Sequence, residues 1–124
     1  LELTLDPRGR RLAAWSDERR RAVVIDLADG QRRDVDRPGR LRLLGFDPTG
    51  AHLVLVQGTE MLEVVEINTG RIVATRPVTK PHVFLDPTGT CLVTAREASK
   101  GWSLHLERIA WDDLCTDNPG APDR

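Results

Sequence analysis

One four-letter motif recurs along the chain at a nearly constant spacing. Asp-Pro-x-Gly stands at Asp6–Gly9, Asp47–Gly50 and Asp86–Gly89, so that successive copies begin 41 and 39 residues apart. A period close to 40 residues is typical of repeat architectures in which each repeat is one supersecondary unit. A type I β-turn favours Asp first, Pro second and Gly fourth. The motif therefore predicts three equivalent tight turns.

Short apolar runs stand on both sides of each predicted turn. Two runs flank every turn, a third follows, and the turns ADG and NTG lead into a fourth run in the first two units. In chain order the runs are LELTL, RLAAWS, AVVIDL and QRRDVD; LRLLGF, HLVLVQ, LEVVEI and RIVATRPV; and PHVFL, CLVTAR and WSLHLERI. Runs this short, bounded by Gly, Pro and Asn, are typical of β-strands. The third unit has no fourth run, because the chain after Ile109 becomes polar and rich in Pro and Gly.

Several runs are apolar on both faces, AVVIDL and HLVLV above all. Such strands are typical of sheets that are covered on both sides, and radially stacked propeller blades provide that cover. We therefore predict an all-β chain of about three β-propeller blades, each a four-stranded antiparallel sheet, the last lacking its outer strand. The units are about 1–40, 41–80 and 81–110.

The carboxyl-terminal part has two interpretations. Residues 109–115 either extend the third strand of the last unit or form a short helix. As a helix, they would place Trp111 and Leu114 on the open face of the last blade. We expect the propeller segment to end at about residue 115 and residues 116–124 to form a flexible tail.

The succession of strand, DPxG, strand, VVIDLADGQ or VVEINTGR, and strand resembles the units of WD-repeat propellers and of their bacterial YVTN-type relatives. The stretch INTGRIVATRPVTKPHVFLDPTG is the most similar part, and the resemblance reaches to about Ile109. In that family the third strand ends in Trp-Asp. Ile25-Asp26 and Glu66-Ile67 stand near that place without the Trp, and Trp111-Asp112 lies about five residues too late.

The resemblance implies a closed ring, and rings of this family have at least four blades. We therefore expect the three units to be the carboxyl-terminal part of a larger propeller, completed by the remainder of a parent chain. The alternative is a homo-oligomer in which two copies form a six-bladed ring.

Composition and residue spacing exclude several classes of function. The net charge is −1, from 18 basic and 19 acidic residues, which argues against nucleic acid as a partner. No apolar run approaches the roughly 18 residues of a membrane span, and no signal peptide is visible, so we expect a cytoplasmic protein. Cys91 and Cys115 are expected to be free thiols. The three histidines, His52, His82 and His105, lack metal-ligand spacing, so neither a metal nor another cofactor is expected.

One end of the predicted blades is basic. It holds the turns between second and third strands and the links between blades. Its basic residues are Arg19, Arg20, Arg21, Arg37, Arg40, Arg76, Lys80, Arg96 and Lys100, and its acids are Asp17, Glu18, Asp36, Glu60 and Glu97. Nine minus five leaves +4. Because guanidinium groups bind carboxylates bidentately, we expect a protein partner or an acidic peptide segment. The candidate partner-binding residues are Arg19, Arg20, Arg21, Arg37, Arg40, Arg76, Lys80 and Trp102.

The sequence thus predicts a non-catalytic protein-interaction, sensor or scaffold module. Two alternatives stay open: a propeller-type enzyme similar to the lactonase-like hydrolases, and a regulatory propeller domain of a larger kinase, protease or NTPase. An enzyme of that kind needs convergent acids or histidines near the ends of the innermost strands, and Glu2, Arg42 and His82 do not make such a set.

Overall fold

The computed structural model describes residues 2–16, 20–37, 40–58, 61–77 and 82–111. The described residues form eleven strands. The strands are β1 (Glu2–Leu5), β2 (Arg11–Trp15), β3 (Arg21–Asp26), β4 (Arg32–Asp36), β5 (Leu41–Phe46), β6 (His52–Gln57), β7 (Met61–Glu66), β8 (Ile72–Pro77), β9 (His82–Leu85), β10 (Cys91–Ala98) and β11 (Gly101–Arg108). They make three antiparallel sheets in the orders β1-β2-β3-β4, β5-β6-β7-β8 and β9-β10-β11. The predicted β-propeller blades are confirmed, and we number them blades 1 to 3.

Each Asp-Pro-x-Gly motif is the hairpin between the first two strands of a blade. The Gly N–H donates to the Asp carbonyl oxygen in all three, at 2.9 to 3.0 Å. The Asp side chain also closes the turn, since Asp6 Oδ1 accepts from the N–H groups of Arg10 and Arg11 at 2.6 and 2.7 Å. Asp86 Oδ1 accepts in the same way from Thr90 and Cys91. A short acceptor at this position satisfies backbone donors that the tight turn leaves unpaired.

The blades pack face to face through two apolar clusters. The first joins one face of blade 1 to blade 2, with Ala13, Trp15 and Val24 against residues that include Phe46 and Leu53. The second joins the opposite face of blade 2 to blade 3, through Val54, Val56, Leu62, Val64, Val83 and Leu92. Strand β6 is therefore buried on both faces, as its continuous apolar run predicts. We call the face that a blade turns to the preceding blade its front and the other face its back.

The two ends of the stack are uncovered among the described residues. The front of blade 1 exposes Leu3 and Leu5, and the back of blade 3 exposes Phe84, Leu104 and Leu106. The back of blade 1, by contrast, is covered by blade 2. Trp15 lies on that face and donates through Nε1 to the carbonyl oxygen of Leu41 in blade 2.

The carboxyl-terminal expectations need one correction. Strand β11 ends at Arg108, so Ile109 does not extend it. Trp111 packs with Ile109 on the cluster between blades 2 and 3 rather than on the open face of blade 3. The reason is the hydrogen bond from Trp111 Nε1 to the Gly89 carbonyl, which turns the indole toward blade 2. Leu114, the rest of the predicted helix and the predicted tail lie outside the described residues.

A second correction concerns the last hairpin, where the predicted runs end at Arg96 and resume at Trp102. Strands β10 and β11 instead pair as far as Ala98 with Gly101, leaving only Ser99 and Lys100 between them. Trp102 lies on β11, as the predicted run WSLHLERI places it.

Among the described residues there is no helix with the length and hydrophobicity that crossing a bilayer needs.

Candidate interaction surface

The antiparallel order of the strands gives the sheets two distinct ends. One end carries the Asp-Pro-x-Gly turns and the turns between third and fourth strands. The other carries the β2–β3, β6–β7 and β10–β11 connections and the links between blades, and we call it the link face. Two backbone hydrogen bonds hold neighbouring segments of this face together: Arg37 N–H donates to Arg20 O, and Gly58 N–H donates to Arg40 O.

Two of the candidate arginines join adjacent blades. Arg37 of blade 1 donates from Nε and Nη2 to the two carboxylate oxygens of Glu63 in blade 2, at 2.8 and 3.1 Å. Glu63 is only 3% exposed, so this is a buried bidentate pair. Arg76, on β8 of blade 2, donates to Glu107 Oε2 of blade 3 at 2.7 Å. This hydrogen bond lowers the pKa of Glu107. Both guanidinium groups are committed to holding blades together.

Arg21 is committed within its own blade. Its Nε donates to Asp36 Oδ1 at 2.5 Å, and its Nη1 lies 3.5 Å from Asp34 Oδ2. The hydrogen bond to Asp36, followed by the charges of the two acids, raises the pKa of Arg21. The arginine joins β3 to β4 and leaves part of its guanidinium exposed.

Arg20 and Arg40 differ from these three. Both are exposed, and within the described residues neither guanidinium makes a side-chain hydrogen bond or an ion pair. Arg20 ends the β2–β3 turn of blade 1, and Arg40 ends the link from blade 1 to blade 2, both on the link face. Among the candidate arginines that the structure describes, these are the two whose guanidinium N–H groups all remain able to donate to a partner. Arg19 and Lys80 lie outside the described residues.

An aromatic pair lies at the same end of blade 3. Trp102 is 58% exposed, and its ring meets His82 edge to face, with the ring centroids 5.2 Å apart. Phe84 lies two residues along β9, and Arg42 of blade 2 stands over its ring at 5.4 Å. The sequence identifies Trp102 but not His82. The signal was available, because both residues start strands at the same end of one sheet.

The opposite end holds a buried polar group that sequence reasoning missed. Asp47 Oδ1 accepts from the His52 N–H at 2.9 Å, and Asp47 Oδ2 lies 3.3 Å from His52 Nδ1. Trp111 stacks on the imidazole with centroids 6.1 Å apart and donates to Gly89 O at 2.6 Å. Burial raises the pKa of Asp47, but hydrogen bonds from His52 and Thr49 outweigh it and the net shift is downward. The group ties the turn of blade 2 to the turn of blade 3.

The described residues contain no group of three or more His, Cys, Asp or Glu side chains arranged to hold a metal ion. Cys91 is a half-buried free thiol on β10. Cys115 lies outside the described residues.

Comparison with protein-family models and with the curated proteins gives no match. Among solved structures the chain is similar to one described as "KlHsv2 with loop 6CD replaced by a Gly-Ser linker", with a TM-score of 0.55 and 18% sequence identity. The match covers 86% of this chain and 43% of that one, so the chain spans less than half the length of the similar structure. A likeness at this level of identity concerns the fold.

Proposed function

We propose that the chain is a non-catalytic, partner-binding propeller module of the WD-repeat or YVTN kind, whose link face binds an acidic segment of another protein. The observation that carries the proposal is the difference among the arginines of this face. Arg21, Arg37 and Arg76 are held by acids, whereas Arg20 and Arg40 are exposed and make no such pair among the described residues. Exposed guanidinium groups that the fold does not use are suited to carboxylates of a partner.

The aromatic pair supplies the second part of such a surface. Partner-binding surfaces are enriched in Trp and Arg, because a large ring buries much apolar area at a low entropic cost. Trp102 is held against His82 and is thus partly ordered before a partner arrives. A partner segment with an acidic stretch and one apolar side chain fits both features.

We also propose that these three blades belong to a longer ring, with the chain acting as a scaffold in the cytoplasm. The 43% coverage of the similar structure supports the longer ring, and so do the uncovered apolar faces of blades 1 and 3. A ring of two copies is the alternative, and sedimentation of the purified chain distinguishes the two.

The test uses a fluorescein-labelled peptide of ten alternating Glu and Leu residues, with binding followed by anisotropy. One variant combines Arg20→Glu with Arg40→Glu on the link face. Its matched control combines Arg8→Glu with Arg10→Glu, two exposed residues beside the first turn at the opposite end. Each pair changes the net charge from −1 to −5, since each reversal removes two units.

The link-face variant is expected to bind about tenfold more weakly, which corresponds to about 1.4 kcal/mol and is reasonable for two exposed charge contacts and their reversal. The control variant should lose less than half of that free energy. Equal losses would mean that the peptide senses only the overall charge, and the proposed surface would then be wrong.

A further inference from the structure

Blade 2 is wider than the described part of blade 3, and the difference leaves a groove. Blade 2 ends on its fourth strand, β8, whereas β11 is the last described strand of blade 3. The back of β7 and β8 therefore extends beyond the cover that blade 3 provides. The uncovered strip is a mainly apolar groove of about 250 Å³ beside β11. Its lining includes Leu62, Val64, Ala74, Ile109 and Trp111.

The interface between blades 1 and 2 shows what normally fills this position. There the fourth strand of the following blade places Ile72 on the cluster that contains Val24 and Val35 of blade 1. Ile72 pairs with Val65, which in turn pairs with Leu53. In blade 3 the residue paired with the equivalent Leu92 is Glu107. A side chain opposite Glu107 on an added strand would therefore enter the groove.

The edge of β11 carries charged residues only at its end, Glu107 and Arg108, and has no Pro. Proteins blunt exposed strand edges with charged residues and Pro. Strand β4 has four charged residues among its five, and β8 ends in Arg76-Pro77. The middle of β11, from Trp102 to Leu106, has no Asp, Glu, Lys, Arg or Pro, and it exposes Leu104 and Leu106 at 71% and 68% on the back of the blade. This middle part lies beside the apolar groove and can accept an incoming strand.

One backbone hydrogen bond shows which N–H and C=O groups of β11 point away from β10. Ile109 N–H donates back to Thr90 O, on the β10 side. Because successive peptide groups of a strand point to opposite sides, the N–H and C=O groups of Arg108, Leu106 and Leu104 point outward. In blade 1 the equivalent outward donor, Asp26 N–H, bonds to Gln31 O at the start of the fourth-strand hairpin.

We propose that β11 and the groove bind an extended segment of a partner polypeptide as a fourth, antiparallel strand of blade 3. The segment carries an aliphatic residue opposite Glu107, which fills the groove, and aliphatic residues opposite Leu106 and Leu104. Main-chain hydrogen bonds supply affinity and the three side chains supply selectivity, as in other cases of strand addition. This surface is separate from the link face, so its test does not depend on whether an acidic segment binds there. In a longer ring the proposal requires that no strand of the parent chain occupies this edge.

The test uses a peptide, acetyl-GRIVTVTK-amide, that starts like β8 (Gly70–Ile72) and omits its bulge. Its Ile lies opposite Glu107, and its two Val residues lie opposite Leu106 and Leu104. Two N-methylated forms of equal mass are compared. One is methylated on the two Val nitrogens, which face β11, and the other on the Ile and the first Thr, which face away. Binding is followed by anisotropy, and amide hydrogen exchange of the intact chain is measured by NMR.

We expect the unmodified peptide and the outward-methylated peptide to bind within about threefold of each other. The peptide methylated on Val is expected to bind at least about tenfold more weakly. At saturation, exchange of the Leu104 and Leu106 amides should slow at least about tenfold, because both gain a hydrogen bond. Equal binding of the two methylated peptides, or no slowing of these amides, refutes strand addition.

Two other segments that could cover the edge of β11 give different hydrogen-exchange results, and either result refutes the proposal. If the two amides already exchange slowly without peptide in a chain that sediments as a dimer, a second copy covers the edge. If they exchange slowly in a monomer, residues 112–124 of the chain itself cover it.

Discussion

The turn of blade 3 packs directly on the backbone of blade 2 at a glycine, and this makes Gly89 an informative position to change. A Cβ atom added there would stand 2.3 Å from the carbonyl oxygen of Phe46 and 3.0 Å from the carbonyl carbon of Asp47. Both atoms belong to the backbone of the neighbouring blade, so no side-chain rotation relieves the clash. Gly89 also has a φ of +77°, a region that residues with a Cβ rarely adopt.

The equivalent glycines of the other two motifs separate these two costs. Gly9 has nearly the same φ, +70°, but a Cβ there meets nothing within 4 Å. At Gly50, with φ +80°, a Cβ would lie 2.7 Å from Asp6 Oδ2, on a carboxylate that the hydrogen bonds of its turn hold in place. All three positions therefore share the cost of a positive φ. An added Cβ meets nothing at Gly9, a side chain at Gly50 and backbone atoms at Gly89.

The expected free energies follow from that division. The left-handed conformation costs an L-residue about 1–2 kcal/mol, so Gly9→Ala should lower the free energy of unfolding by about that amount. Overpacking adds about 1–3 kcal/mol, which gives about 2–3 kcal/mol for Gly50→Ala and about 3–5 kcal/mol for Gly89→Ala. For a domain of this size each kcal/mol lowers Tm by roughly 3–6 °C.

Urea unfolding followed by circular dichroism measures all three variants under the same conditions. The order Gly9, Gly50, Gly89 is the critical result, because the φ angles are alike and only the neighbouring blade differs. Equal losses at the three positions would show that the turns do not pack on one another as described, and would refute the argument.

Two further predictions concern charged groups between and within the blades. Arg37→Ala leaves Glu63 buried without its cation and should cost about 3–5 kcal/mol, whereas Arg76→Ala breaks an exposed pair and should cost less than about 1 kcal/mol; equal values in urea unfolding would contradict this. Asp47→Asn should destabilise at pH 7. The difference from the unmodified chain should begin to shrink only below about pH 3.8 and should disappear once the pH falls below the lowered pKa of the folded-state carboxyl. A difference in stability that stays constant as acid is added, down to the pH at which the folded chain protonates Asp47, would contradict it.

The fold was predictable because its strongest signals are local. Each Asp-Pro-x-Gly turn is closed by atoms within six residues, so the tetrapeptide alone carries the chemistry of the hairpin. The continuous apolar run of β6 also needs no knowledge of its neighbours. The β10–β11 hairpin was misplaced because Arg96–Ala98 carries no turn residue. The chain stays extended to Ala98, and the turn consists of Ser99 and Lys100, followed by Gly101 with a φ of +114°.

The candidate site was less predictable because its members are distinguished by distant residues. Arg37 and Arg40 are three positions apart and equally basic, yet Arg37 is bound to Glu63, which lies 26 residues away. No residue near Arg37 in the sequence indicates that Glu63 is its partner. Trp111 was assigned to the wrong face for the same reason, since its hydrogen-bond acceptor is Gly89 and its stacking partner is His52.

The two blade interfaces have two features in common, and these bear on both ends of the stack. An Arg–Glu pair crosses each interface, although Glu63 and Glu107 stand at different register positions, and the Asp-Pro-x-Gly turns of blades 1 and 2 each meet the glycine of the following turn. Leu5 occupies the position before Asp that Phe46 fills in blade 2, and Phe46 is buried by blade 1 while Leu5 is exposed. Repeats of this kind gain stability by burying a face on each neighbour. Leu5 on the front of blade 1 and Leu106 on the back of blade 3 are therefore the unmatched halves of the same kind of interface.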